Sequence, residues 1–103
     1  MREQFQEELD GVSATLVQMA GLVRVAMDNA TTALLTADLT LAEKVIADDT
    51  IIDDMQHELD ARTINLIARQ SPVASDLRTL VTSLRMSADL ERMGDLAHHI
   101  AKS

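Results

Sequence analysis

Apolar residues near the start of the chain recur in steps of four and three without a lapse. The series comprises Phe5, Leu9, Val12, Leu16, Met19, Val23, Ala26, Ala30 and Ala33. Residues with this spacing share one face of an α-helix, whereas a strand would need alternation every second residue. The pattern therefore predicts one long amphipathic helix with a continuous apolar seam, and a fold made of helices of similar length.

Two further segments show related patterns. In the second, four residues fall seven apart and four more support them: Val45, Ile52, Leu59 and Leu66, with Leu41, Met55, Ile64 and Ile67. The third begins with Val73, Leu77, Leu80 and Leu84. The segments are separated at Thr36–Leu39, where Asp38 is suited to cap the following helix, and at Ser71-Pro72, which disfavours a continuing helix. We therefore predict helices over 3–36, 39–70 and 73–102.

Composition favours helices as well. Phe5 is the only aromatic residue, and three Gly and one Pro are too few for the many turns of an all-β fold. Short connections between long helices make neighbours antiparallel. The predicted fold is all-α, an antiparallel up-down-up three-helix bundle with helices about 45–50 Å long at 1.5 Å per residue.

The charge balance narrows the choice of partners. Nine Lys and Arg against seventeen Asp and Glu give a net charge of −8, which disfavours nucleic acid and anionic lipid surfaces. No apolar run approaches the roughly 20 residues that span a bilayer, so we expect no direct membrane insertion. The chain has no cysteine, which excludes thiolate metal sites and disulfides and fits a cytoplasmic protein.

Helix 3 carries two carboxylates where its apolar pattern changes. Continuing Leu77 and Leu84 by sevens leads to Glu91, and Asp95 lies one turn further along. Like charges four residues apart repel each other and favour a compensating cation. A second apolar stripe competes for the core: Met86, Leu90, Met93, Ala97 and Ile100. If that stripe packs inside, the two acids lie on its flank, and a solvated acidic face is enough to explain them.

Helix 2 carries a second acidic pair with the same spacing, Asp49 and Asp53. If helices 2 and 3 fold against each other about residue 71, this pair comes level with Glu91 and Asp95, and with Asp89. Carboxylates gathered at one level of a bundle repel one another and raise their own pKa values.

Two explanations for this cluster remain open. In the structural one, Arg24 and Arg92 neutralise part of the charge. In the functional one, the cluster binds a divalent or trivalent metal ion such as Mg, Ca, Mn or Fe, which oxygen ligands suit. Helix 1 would contribute Asp28 at the same level, and His98, three residues after Asp95, could add a nitrogen ligand.

Three stretches of the sequence resemble the signature of the PhoU family, the accessory regulators of bacterial phosphate uptake. They are Gln70–Arg78 (QSPVASDLR), Asp89–Ala97 (DLERMGDLA) and, in helix 2, Asp49–Asp53 (DTIID). The resemblance implies an all-α fold of two tandem three-helix repeats without established catalytic activity. It also implies metal binding through acidic motifs, which here fall on Glu91 and Asp95 with Asp49 and Asp53 opposite.

The same resemblance implies a role and partners. Family members act as negative regulators that relay the state of the phosphate ABC transporter, with its ATPase, to a sensor histidine kinase. Arg78 and Arg92 lie within the signature and are predicted either to pair across helices or to contact a partner. This sequence holds one repeat, and its third helix ends at Ser103 without a glycine cap. We therefore expect a repeat cut at its C-terminal end, which acts alone or pairs as a homodimer.

Two other functions stay open at this point. One is a carboxylate-bridged di-metal enzyme, for which Asp95 and His98 are the nearest equivalent of the Glu-x-x-His pairs found in such bundles. The other is a purely structural bundle whose acidic patch docks a basic partner.

Overall fold

The computed structural model describes residues 2–103. Within this range the chain forms three α-helices, α1 (Arg2–Thr36), α2 (Leu39–Gln70) and α3 (Ala74–Lys102), each packed against the other two. The bundle is 52 Å long and about 17 Å across. The predicted all-α three-helix bundle is confirmed, and the helices begin and end within one residue of the predicted bounds.

The two turns use left-handed backbone at residues other than glycine. Ala37 has φ 53° and Ser71 has φ 42°. After the first turn the Asp38 carboxylate accepts a hydrogen bond from the Leu41 amide at 3.0 Å, so Asp38 caps α2 as predicted. In the second turn the Ser71 amide bonds to the Ile67 carbonyl, and Val73 precedes α3 without a side-chain cap.

The seam predicted for α1 is confirmed at every position, because all nine residues from Phe5 to Ala33 are buried. On α2 the four residues spaced by seven, Val45 to Leu66, are buried too. None of the four supporting residues is buried: Leu41, Met55 and Ile67 are half-buried, and Ile64 is exposed. The four residues spaced by seven therefore identify the core face of α2 better than the full set of eight apolar residues does.

The predicted seam of α3 is largely wrong. Leu80 is buried, but Val73 and Leu77 are exposed and Leu84 is half-buried. The core face of α3 consists of Leu80, Ser83, Ser87, Leu90, Gly94 and Ala97, of which Leu90 is half-buried. Large side chains of α1 already occupy the centre of the bundle, so α3 completes the packing with small ones. The hydroxyl of Ser83 bonds to the Thr79 carbonyl at 2.9 Å, which lets a polar residue lie inside.

Small residues bring the helices close together at one end of the bundle. There Ala26 and Ala30 of α1 pack with Ile52 of α2 and Ala97 of α3. At the opposite end Phe5 and Leu9 pack with Leu66 and Leu80. Asp49 and Asp53 of α2 flank Ile52 in the sequence at this alanine-rich end.

One helix, over Glu3–Thr36, is long and apolar enough to cross a membrane by length and composition. One such helix is weak evidence for a membrane span, because core helices of soluble proteins and signal sequences meet the same criterion.

Candidate metal centre

Three carboxylates from two helices meet at the α2–α3 interface. Asp49 and Asp53 of α2 and Asp95 of α3 each offer an oxygen, and these oxygens lie within 4.8 Å of one another. Asp49 is buried, Asp53 half-buried and Asp95 exposed, so the group leads from the core to the surface. The predicted alignment of the two acidic pairs gives this arrangement, and we refer to Asp49, Asp53, Asp95 and Glu91 as the acidic cluster.

Asp49 is the innermost member, with 8% of its surface exposed. His98 Nδ1 lies 2.9 Å from Asp49 Oδ2, and because an ionised carboxylate only accepts, the ring donates from Nδ1. The other oxygen, Oδ1, is buried and has no hydrogen-bond partner within residues 2–103. An unpaired buried carboxylate oxygen costs free energy, so this atom favours a cation or a proton.

The pKa values of two members are raised. A hydrogen bond with Asp95, then partial burial and the charges of neighbouring carboxylates, raise the pKa of Glu91 to about 7 from its ordinary 4.5. Partial burial, then the charges of Asp49 and Asp95, raise the pKa of Asp53. Glu91 therefore belongs with the three other carboxylates, and protons compete with cations for the cluster near neutral pH.

Gly94 lies between the two acids of α3 and allows the close approach of α2. A Cβ atom at Gly94 would lie 3.4 Å from Ile52 Cγ2 and 3.6 Å from Asp49 Oδ1. Any larger side chain would displace Ile52 or cover the unpaired oxygen of Asp49. In the structure Gly94 therefore faces both Ile52 of the core and Asp49 of the acidic cluster.

Other predicted residues lie outside the acidic cluster. Asp28 is exposed on α1 and does not join the group of carboxylates. Asp89 points to the surface, where its carboxylate lies 3.6 Å from the guanidinium of Arg92. Arg24 and Arg78 are exposed and make no ion pair with any residue described. In residues 2–103 no arginine neutralises the cluster, contrary to the structural explanation that placed Arg24 and Arg92 there.

The second apolar stripe considered for α3 is the better account of how its acids are placed. Leu90 and Ala97 face the core, while Met86 and Met93 are half-exposed. Glu91 and Asp95 therefore lie on the flank of the core face, at the lip between α2 and α3. Sequence reasoning missed the bond from His98 to Asp49. The signal for it was available, since the fold about residue 71 places both at one end of the bundle.

Comparison with known proteins places the chain among a set of named relatives. A family model described as "PhoU domain" matches residues 16–103. A phosphate-specific transport system accessory protein PhoU homolog from Rhizobium meliloti is 44% identical over 98 residues, which are 95% of this chain and 41% of the relative.

Two further relatives agree. Homolog 2 from Mycobacterium bovis is 46% identical over 102 residues, 99% of this chain and 48% of its own length. A homolog from Pseudomonas putida is 40% identical over 100 residues, 97% of this chain and 39% of its own length. The chain thus spans less than half the length of these curated relatives.

Proposed function

The chain belongs to the PhoU domain family, and on that premise we propose that it is a cytoplasmic, metal-binding accessory protein that regulates phosphate transport. It acts without catalysing a reaction, as the relatives' names describe accessory proteins. The observation that carries the proposal is the identity of 40–46% across nearly the whole chain.

The metal site of this proposal is the acidic cluster. Asp49, Asp53 and Asp95 supply oxygens close enough to share one ion, and the unpaired Oδ1 of Asp49 is the atom that most needs a positive partner. Glu91 lies beside Asp95 and would bind once deprotonated. An all-oxygen donor set suits Mg, Mn, Fe or a similar hard ion. His98 holds the Asp49 carboxylate in place, as histidine and carboxylate partners do around many metal ligands.

In this proposal the acidic cluster couples α2 to α3. These carboxylates repel one another, and a cation held by them would neutralise their charge and so fix the relative position of the two helices. A regulator can use such a joint to present one surface with the ion bound and another without it. The proposed partners are the ATPase of the phosphate transporter and the sensor histidine kinase.

The metal proposal is tested by measuring metal content by mass spectrometry after extensive dialysis. We expect stoichiometric metal in the wild type and its loss in the Glu91→Ala/Asp95→Ala double variant. The matched control is Asp28→Ala/Asp89→Ala, which removes the same charge from exposed positions outside the cluster. Metal missing from the wild type, or lost equally in both double variants, would refute the site.

The regulatory proposal needs a separate measurement. Purified protein is titrated against the transporter ATPase and against the cytoplasmic part of the sensor kinase, with the metal present and with it chelated. We expect binding to at least one of them, with an affinity that changes on chelation. Binding to neither refutes the adaptor role, even if the metal site stands.

A redox assay of iron-loaded protein distinguishes the alternative of a di-metal enzyme from the proposed accessory protein. Redox activity with bound iron would support the enzyme. The pair Asp95 and His98 that suggested it is divided in the structure, because His98 bonds to Asp49 of the other helix. The predicted homodimer is tested by sedimentation.

A further inference from the structure

A long stretch of α1 carries no charge although the chain is rich in acids. Residues 11–23 contain neither acidic nor basic side chains, and on α3 residues 79–84 are uncharged as well. Large apolar side chains are exposed on these helices, with Val17 at 73% and Met86 at 49%. An uncharged surface with exposed apolar groups, in a chain of net charge −8, is typical of an interaction site.

These residues line a groove of about 600 Å³ between α1 and α3. Val17 and Ala20 form part of one wall, and Thr79, Thr82 and Met86 form part of the other. The single charged residue among those lining the groove is Arg78. The acidic cluster lies on the α2 side of α3, so the groove is a separate surface.

One cationic side chain, Arg78, lines the groove, and a second, Arg24, lies on α1 beyond the lining residues. Arg78 lies near the level of Leu80, which packs with Leu9 of α1. Arg24 lies seven residues after Val17 and so continues the groove face of α1 at the other end. At 1.5 Å per residue, the two arginines are roughly 20 Å apart along the bundle. Both are exposed and make no ion pair with the residues described.

We propose that this groove docks an acidic amphipathic helix of a partner protein, with Arg24 and Arg78 contacting its carboxylates. A helix fits because the groove is formed by two helices whose backbone groups are already paired, and a helix satisfies its own. Its apolar stripe covers Val17 and Met86, and two acidic side chains about four turns apart reach the two arginines. This inference goes beyond the proposed function and does not depend on the metal.

A second copy of the chain fits the groove less well. In a symmetric pair the same surface faces itself, so each copy would present Arg78 and an uncharged wall to the other. Neither would supply the carboxylates that the arginines lack.

The test uses a displayed library of 18-residue peptides with leucines fixed at helical spacing and the other positions randomised. We expect selection on the wild-type protein to enrich Asp and Glu at positions about four turns apart. One enriched peptide is then synthesised and its dissociation constant measured by fluorescence anisotropy. Charge reversal by Arg78→Glu or Arg24→Glu should weaken binding about tenfold or more, and Val17→Glu should do the same.

Matched controls lie outside the groove. Arg62→Glu makes the same change on α2, where Arg62 lines a different depression, and Leu35→Glu adds the same charge on α1 at a position 78% exposed. Both should keep the affinity within about threefold, as surface substitutions usually do. Circular dichroism checks that every variant is helical, which is expected because all the sites are exposed.

Three results would overturn the proposal. The first is enrichment of peptides with no excess of acidic residues. The second is equal affinity for Arg78→Glu and Arg62→Glu. The third is a dimer in sedimentation that Val17→Glu dissociates, which would assign the groove to a second copy. None of them bears on metal content, so this proposal and the metal site fail separately.

Discussion

Asp49 joins the core of the bundle to the acidic cluster. Its two oxygens have different surroundings, since one accepts from His98 and the other is unpaired. A buried carboxylate with half of its bonding capacity satisfied is costly in the isolated protein. The residue therefore contributes less to stability than to the ability of the site to attract a cation.

Replacing His98 by Ala should destabilise the protein. The change removes the donor to Asp49 and leaves both oxygens unpaired, for an expected loss of about 1–2 kcal/mol in the free energy of unfolding. Urea denaturation monitored by circular dichroism measures it. The matched control is His99→Ala, which removes an exposed ring from the next residue and should leave stability unchanged. Equal effects of the two variants would mean that the bond to Asp49 adds nothing.

The raised pKa of Glu91 predicts that the metal-free protein loses stability as pH rises. The ordinary value is 4.5 and the folded value about 7. Between these values the folded state binds more protons than the unfolded state, so the free energy of unfolding falls with increasing pH. The raised pKa of Asp53 adds a slope of the same sign at the acidic side of this window.

The measurement is urea denaturation in chelator at pH values below, within and above that window. Glu91→Gln should flatten the fall in stability, because an amide does not titrate there. Glu7→Gln on the exposed side of α1 should keep the wild-type profile. Parallel profiles for wild type and Glu91→Gln would show that Glu91 does not carry the effect.

At the scale of whole elements, the helices differ in how well their sequences predict which face is buried. The seams of α1 and α2 are regular series of large apolar residues, so spacing alone identifies the buried face. On α3 the core face includes Ser83, Ser87 and Gly94, which no count of apolar residues selects. Their burial is decided by the volume that α1 and α2 leave free, and that volume is a property of three helices together.

The glycines of the helices give a prediction at this scale. A Cβ at Gly21 would meet no atom within 4 Å, so Gly21→Ala should gain helix propensity without a steric cost, about 1 kcal/mol. Gly94→Ala should gain as well, because its Cβ would make an ordinary van der Waals contact with Ile52 Cγ2 at 3.4 Å. Thermal or urea denaturation of the two variants compares them directly. A loss of stability in Gly94→Ala would show that α2 and α3 pack more closely at Gly94 than these distances indicate.

For the molecule as a whole, binding a cation across α2 and α3 should raise the melting temperature. A ligand that binds only the folded state stabilises it by about 2.7 kcal/mol at a hundred times its dissociation constant. Calorimetry with and without Mg or Mn measures the shift. The Glu91→Ala/Asp95→Ala variant should show little of it, whereas Asp28→Ala/Asp89→Ala should behave as the wild type. A shift of the same size in both variants would place the ion elsewhere.

The topology of the bundle and the position of the acidic cluster along its axis could be predicted from the sequence, because both depend on the lengths of the helices. Two breaks near residues 37 and 71 divide the chain into helices of similar length, and folding about them places Asp49 beside Gly94. The lengths of the helices do not determine how each helix is rotated about its own axis. That rotation decides that Asp95 faces the cluster while Asp89 faces solvent, and it depends on the small residues of α3.

The small side chains on the core face of α3 have a consequence for motion. A helix that buries serine, glycine and alanine removes less apolar surface from water than one that buries leucine and methionine. Local opening should therefore cost least free energy at α3, and its amide hydrogens should exchange with solvent faster than those of α1. Half of the acidic cluster and one wall of the groove belong to this helix. A cation in the acidic cluster and a peptide in the groove would then both contact α3, the least-protected helix. Binding of either one would change how often α3 opens locally, and so would affect binding of the other.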